Sequence, residues 1–570
     1  MTRTYPSLEL GLLTGLIGLL VSCGGGSGGN SEAGQDEVID IRATTLANPI
    51  AYITSQCFTK TRDEAGGIHN PCFSCHIESQ VPNYLNDGKV QLSYAFPGDP
   101  DSTLDNPWSN LFKDRSVAVA AMSDDAILTY IRHDNYLKDG SPLLAATLTQ
   151  SLPAKWDVNG NSAWDGYKAD AWFNFDGEGF DRSPDNGYTG WRAFAYAPFL
   201  GTFWPTNGST DDVLIRLAPS FRQAEDGTTN LTVYKTNLAI VTALIQRRDV
   251  TLETPVDEVA LKVDLDKNST LATATQIKYD WAPLENRLMS YVGKARLEQL
   301  AGRVHLAAGL FPEGTEFLHS VRYLDMDDTG ATKLAARMKE LRYAIKNTWY
   351  SYSELDSQAR MEAREKAVNP ERTRQLTGNA EIGMSNGQGW VYQGFIEDRK
   401  GNLRPQTYEE TAFCIGCHSG IGATTDGVFA FPRKFRETTA FRQSWYHWSQ
   451  KGLSGVPEPM RSDGQYEYTH YLRQNGAGDE FRGNDEVMAK FFNADGSLKA
   501  EAVSQLHSDV TVLLNPSRAR ALALNKAYKA LVDEQSFAFG RDATTTPVNT
   551  VHRNVKIGTA TGIVQAATGP

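Results

Sequence analysis

The chain has 570 residues, enough for three or four domains at roughly 100 to 200 residues each, or for two with large insertions. Hydrophobic residues make up 41% and charged residues 22%, and 49 Gly with 24 Pro come to about 13%, a globular composition that excludes disorder, collagen and coiled coil. Fifty-six Lys and Arg against 68 Asp and Glu leave a net charge of −12, which offers no general attraction to phosphate backbones and argues against a nucleic-acid partner. The six cysteines are few enough that position carries the information; they stand at 23, 57, 72, 75, 414 and 417.

In chain order, residues 1–22 come first. Arg3 precedes an apolar stretch from Leu8 to Val21 that is too short and too Gly-interrupted to span a bilayer, so it reads as an export signal. It ends in Leu20-Val21-Ser22-Cys23, which resembles the bacterial lipobox. The resemblance implies diacylglycerol on the Cys23 thiol and a mature chain starting there, anchored by more than one acyl chain. Gly24 rather than Asp after that cysteine is similar to Gram-negative lipoproteins of the outer membrane. Residues 23–38 are then a flexible tether; the eleven residues Gly24 to Gly34 reach about 18 Å r.m.s..

Cys72-Phe73-Ser74-Cys75-His76, in an expected first haem module over 39–150, is C-x-x-C-H, the covalent c-type haem signature. Cys414-Ile415-Gly416-Cys417-His418, in an expected helical second module over 331–540, repeats it. Two thiols on one turn add to the two vinyl groups of a haem, and the following His is thereby held under the iron. A zinc site would need two motifs 338 positions apart to converge, and a thioredoxin pair needs a βαβ context without a fixed His. The expected cofactors are therefore two haem c. Cys57 is left as a buried free thiol, or as a thiolate axial ligand similar to that of some dihaem thiosulfate-oxidising cytochromes.

A filled sixth iron position suits electron transfer, and an open one suits chemistry. Met122 precedes a helix start at Ser123, with Ile127, Leu128 and Ile131 on its apolar side, which resembles the Met-then-helix ending of a cytochrome c domain. Met122 and His447 are the leading distal candidates; His69, His133, Met460 and His470 are the others.

Residues 151–330 form a central aromatic-rich region in which Trp156, Trp164, Trp172, Trp191 and Trp204 are five of the 11 Trp. Asp157, Asn159, Asn161 and Asp165 resemble a calcium loop of EF-hand and dockerin type, with Lys168 in place of the usual Glu. Asp264-Leu265-Asp266-Lys267-Asn268 and Asp325-Met326-Asp327 repeat parts of that pattern. Asn230-Leu231-Thr232 matches a glycosylation triplet that a bacterial lipoprotein has no use for. Alternation over Val259, Leu261, Val263 and Leu265 predicts a strand, with further strands at Gln276 to Trp281 and Val213 to Leu217. Leu334, Met338, Leu341 and Ile345 share one helical face, and a second, exposed helix runs from Ser353 to the break at Asn369-Pro370. Residues 541–570 read as an extended arm.

The expected fold is α+β and multidomain, with two mainly helical cytochrome c-like modules flanking a partly β centre. Two redox functions follow. One is an envelope electron carrier that exchanges electrons with redox partner proteins and meets the membrane only through its lipid. The other is a dihaem oxidoreductase with one relay haem and one reactive haem, an architecture that resembles dihaem cytochrome c peroxidases and rubber oxygenases in its two motifs and general size. A binding lipoprotein with structural haems is a third.

Overall fold

In the computed structural model the described residues are 38–62, 66–84, 87–199, 204–327, 330–435, 444–447, 449–475 and 483–569. Cys23, the signal and most of the tether lie outside them.

A nine-stranded antiparallel sheet is the frame. Its strands are β1 Phe180–Arg182, β2 Tyr188–Phe194, β3 Thr210–Arg216, β4 Glu316–Met326, β5 Thr332–Lys346, β6 Gly378–Asn379, β7 Gly383–Ser385, β8 Trp390–Glu397 and β9 Leu403–Pro405. Their spatial order is 6-7-8-5-4-3-2-1, with β9 also paired to β8. The centre is the long β4–β5 hairpin, which pairs Phe317 with Ala344, His319 with Arg342 and Val321 with Glu340. Strand alternation divides its faces. Leu214, Leu318, Leu341 and Phe395 point to one side and join Trp164, Trp191 and Tyr136 in an apolar layer. Val213, Phe317, His319, Arg342, Ala344 and Tyr392 point to the other, where a large cavity lies.

The fold is thus mixed α and β as expected, but its second half is not the expected helical module. Leu334 to Ile345 is strand β5 rather than a helix, and the reason is a bulge. Val321 faces Glu340 while Arg322 faces Met338, so Lys339 is an extra residue on β5. The bulge puts Met338 and Leu341, three positions apart, into one apolar layer and so imitates a helical spacing. Pairing to β4 and β8 outweighs the helix-favouring Ala, Lys, Glu and Arg of this segment. Val259 to Leu265 is not a strand either. Asp257 accepts from the backbone of Val259 and Ala260 and caps a single helical turn, Glu258–Leu261, leaving Val259 exposed. The strand near Gln276 is Thr273–Ile277, and Val213 to Leu217 falls largely within β3.

Helices pack around this frame. Cys72–Cys75 is α1, and Asp124–Arg132 is α2, capped by Ser123 as expected, with Ile127, Leu128 and Ile131 buried. Leu231–Gln246 is α3, whose cap is Asn230: its side chain accepts from Val233, which is the use of the Asn230-Leu231-Thr232 triplet. Tyr352–Val368 is α4, started by a capping box between Ser351 and Glu354 and ended at Asn369 before Pro370. Tyr408–Cys417 is α5 and Arg518–Glu534 is α6. The C-terminal arm is extended: Asn554–Lys556 pairs with Thr103–Asp105, and Ala567 exchanges hydrogen bonds with the Gln91 side chain.

Candidate functional site

The two C-x-x-C-H segments have the same local build. In each, a short helix carries both cysteines, and the His that follows is the first residue out of it, with its amide bonded to the carbonyl of the first Cys: His76 to Cys72 at 2.8 Å and His418 to Cys414 at 3.0 Å. Backbone angles at the two His agree closely, φ −89° and ψ 69° at His76 against φ −86° and ψ 54° at His418. Thr407 and Glu410 form a capping box that starts α5.

Tertiary contacts bring the two segments together. The loop after His418 docks on the first motif: Ala423 donates its amide to the Cys75 carbonyl at 3.0 Å, and the Asn83 amide donates to Ile421 and Thr424 carbonyls. Gly422 donates to Asp87, whose other oxygen is 3.3 Å from His76 Nδ1. Gly416, inside the second motif, is required by close approach: a Cβ there would sit 1.9 Å from the Tyr52 carbonyl oxygen. Cys57 lies between the motifs, its thiol 3.6 Å from Thr54 Oγ1, near enough to Cys72, Cys75 and Cys417 to act on them electrostatically.

Cys57, Cys72, Cys75, His76, Cys414, Cys417 and His418 all line one cavity of about 1480 Å³. A single ligand pocket commonly takes roughly 300 to 1,000 Å³, so this space is large enough for more than one group. Burial pushes the Cys72 and Cys417 thiols up to about 12 and raises those of Cys75 and Cys57. All five are free thiols. Burial also pushes the His418 imidazole down to about 4, so it is neutral at ordinary pH. Its Nδ1–H donates to the Gly427 carbonyl at 2.7 Å, which fixes the tautomer with the lone pair on Nε2, the form a metal-binding imidazole needs. Gly427 is held in turn: Asp426 pairs with Lys346 at 2.7 Å, both fully buried.

The expected distal residues lie elsewhere. His447 Nε2 is 2.7 Å from Asp212 Oδ1 and its ring stacks on Phe175, on the sheet face opposite the cavity. Met122 ends the helix Ser116–Ala121 and packs beside α2. His69, His133, Met460 and His470 are also absent from the cavity lining among the described residues. His69 bonds Thr61, His133 meets Arg337, His470 meets Gln465, and Met460 is 58% exposed. Besides His76 and His418, the cavity is lined by His319 on β4, which sequence spacing does not single out. Its partner Asp211 precedes Asp212, so consecutive residues of β3 hold His319 on one face of the sheet and His447 on the other.

The Asp157 loop is closed by its own hydrogen bonds. Asp157 accepts from Gly160, Asn161 and Ser162, and Asn159 and Asn161 both reach Asp165. In place of the missing Glu at position 168, the buried Glu381 accepts from Val158 and Asp165 amides. The Asp264 loop brings Glu258, Asp264 and Asp266 together, with ligand atoms within 4.8 Å. Asp325 does not form a loop site; it lies on β4 and pairs with Arg132 and Lys333.

No helix among the described residues is long and apolar enough to cross a membrane. No solved structure matches the chain. An "Uncharacterized lipoprotein" of Aquifex aeolicus (strain VF5) is 30% identical over 566 residues, covering 92% of this chain and 90% of that one. A family model described as "-like lipoprotein" matches residues 41–511, and the chain belongs to this lipoprotein family.

Proposed function

We propose that this lipoprotein is a dihaem c-type cytochrome of the cell envelope, which passes electrons through two covalent haems held in one cavity. The observation that carries the reading is the convergence of both C-x-x-C-H segments, 338 positions apart, on the same cavity. Cys72 and Cys75 would hold one haem with His76 as proximal ligand, and Cys414 and Cys417 the other with His418. The residues fit: free thiols paired on one helical turn, a neutral His418 oriented by a carbonyl, and a cavity of sufficient volume. Haem supplies one-electron iron redox chemistry and, where a coordination position is open, a place for a small ligand. The protein's part would be to hold both groups in this cavity and to orient the imidazoles of His76 and His418. Lipidation at Cys23 would tether this body to the outer membrane, within reach of redox partner proteins. Calcium at Asp157, Asn159, Asn161 and Asp165 is part of the same reading.

The experiment is a covalent haem count on exported protein by alkaline pyridine extraction. Two haems per chain are expected, falling to one when Cys414 and Cys417 are both replaced by Ser; one or none in the wild type overturns the reading. The dihaem oxidoreductase is the second reading, favoured by the polar wall of His319, Arg342 and Asp211 within an otherwise largely apolar haem cavity.

A further inference from the structure

We propose that Ser449 is an activated nucleophile that takes an acyl group from small activated esters, with His447 as its general base and Asp212 as the buried carboxylate behind the imidazole. The site lies on the sheet face opposite the cavity, uses no residue of the two C-x-x-C-H segments and stands independently of the two-haem reading. The three side chains form a line from the surface inward: Ser449 is exposed, whereas His447 is 4% and Asp212 2% exposed. Ser449 Oγ is 2.6 Å from His447 Nδ1, and the Ser449 amide donates to the same nitrogen at 3.0 Å. A backbone amide can only donate, so Nδ1 carries the lone pair and the ring proton sits on Nε2, 2.7 Å from Asp212 Oδ1. The hydroxyl therefore meets a basic nitrogen, and the carboxylate stands where positive charge on the ring would develop. These are the roles of a serine–histidine–aspartate relay with the two ring nitrogens exchanged.

The surroundings hold this line in place. Burial opposes the charge on Asp212, but His447, Arg322 and Ser320 together keep its carboxyl below the usual carboxylate range. Ser320 Oγ donates to Asp212 Oδ2 at 2.5 Å, and Arg322 Nε stands 3.5 Å from that oxygen. Phe175 stacks on the His447 ring at 4.3 Å and Phe173 meets its edge at 6.2 Å. Phe173 does so with φ +52°, a left-handed conformation that a bulky side chain rarely adopts. The loop itself is tied: the His447 amide donates to Gln450 Oε1 at 2.7 Å, and the Gln450 and Lys451 amides donate to the His447 carbonyl. In the reaction the Oγ–acyl carbon bond forms as the ester C–O bond breaks, and the hydroxyl proton passes to Nδ1 and on to the leaving oxygen. Water, giving its proton to the same nitrogen, then releases the acid and restores Ser449. No electrons change hands and water is the only co-reactant.

The test uses the purified full chain with two probes, an alkyl fluorophosphonate and p-nitrophenyl acetate. The fluorophosphonate should leave its adduct on the peptide that holds Ser449, located by mass spectrometry, and the ester should release a burst of one p-nitrophenolate per chain. Ser449→Ala, a change at the surface, should keep the melting temperature and abolish both signals. His447→Gln should slow phosphonylation on the order of 10² to 10⁴-fold, the range of a lost general base, and Asp212→Asn should slow it as well. Urea-unfolded wild type should not react. An unlabelled native wild type overturns the proposal, as does an adduct on another residue, an equal rate in native and unfolded chains, or an unchanged rate in His447→Gln. Because His447 is buried and its variant could fail to fold, Ser449→Cys gives a second decision. Its thiol should react with iodoacetamide faster in the native chain than in urea, and an equal or slower native rate overturns the proposal.

Discussion

At the scale of single residues, the pair of Lys346 and Asp426 connects stability to His418 of the second motif. Asp426 accepts from Lys346 and from the Phe311 amide, with a positive φ of 52°, and the next residue supplies the carbonyl that orients His418. Asp426→Ala would leave a buried ammonium without its counter-charge, a loss of about 3–5 kcal/mol in chemical denaturation. Glu458 behaves differently. Burial pushes its carboxyl up to about 7 although Thr469 donates to it from both backbone and side chain. The folded chain therefore holds a proton that the unfolded chain, with an ordinary Glu near about 4.3, has released. Between those values the native state binds more protons, so stability falls as pH rises through that window. The contribution is complete below about pH 4 and gone above about 7. In Glu458→Gln this part of the slope should vanish from denaturation midpoints measured at about pH 4, 5.5 and 7, the window set by those two values; an unchanged slope would assign it elsewhere.

Loops and strands carry the next level. The Asp157 loop already satisfies most of its own backbone amides, so an ion there would add to a formed element. If calcium binds only the folded loop, stability rises with its concentration by mass action. Chelation should lower the melting temperature of wild type and leave Asp157→Ala unaffected; equal curves with and without chelator in wild type would reject the site. This loop was legible in the sequence because its oxygens alternate within nine residues, while the Glu381 that completes it comes from a distant turn between β6 and β7. Helices α2 and α4 were legible for the same reason of locality: Ser123, Ser351 and Asn369-Pro370 mark ends by hydrogen bonds within one turn. Strand β5 was not, since burial on both faces removes the two-residue period and the bulge at Lys339 supplies a false helical one.

For the molecule as a whole, what matters is that residues far apart in sequence surround one space. The two C-x-x-C-H segments were legible because their Cys and His are contiguous; their meeting was not, because it depends on Asn83, Asp87 and Gly422 docking across the fold. His319 and Asp211 escaped for the same reason: they are 108 positions apart and are joined by strand register. Met122 and His447 were attractive by spacing, yet each is absorbed into packing or ion pairing away from the cavity. On the two-haem reading both irons share one cavity, and electron paramagnetic resonance of the oxidised protein tests this most directly. Two irons in one cavity should relax each other, so the wild-type spectrum and its power saturation should differ from the sum of two single-haem variants, Cys72→Ser with Cys75→Ser and Cys414→Ser with Cys417→Ser. A wild-type spectrum equal to that sum, with unchanged saturation, would contradict it.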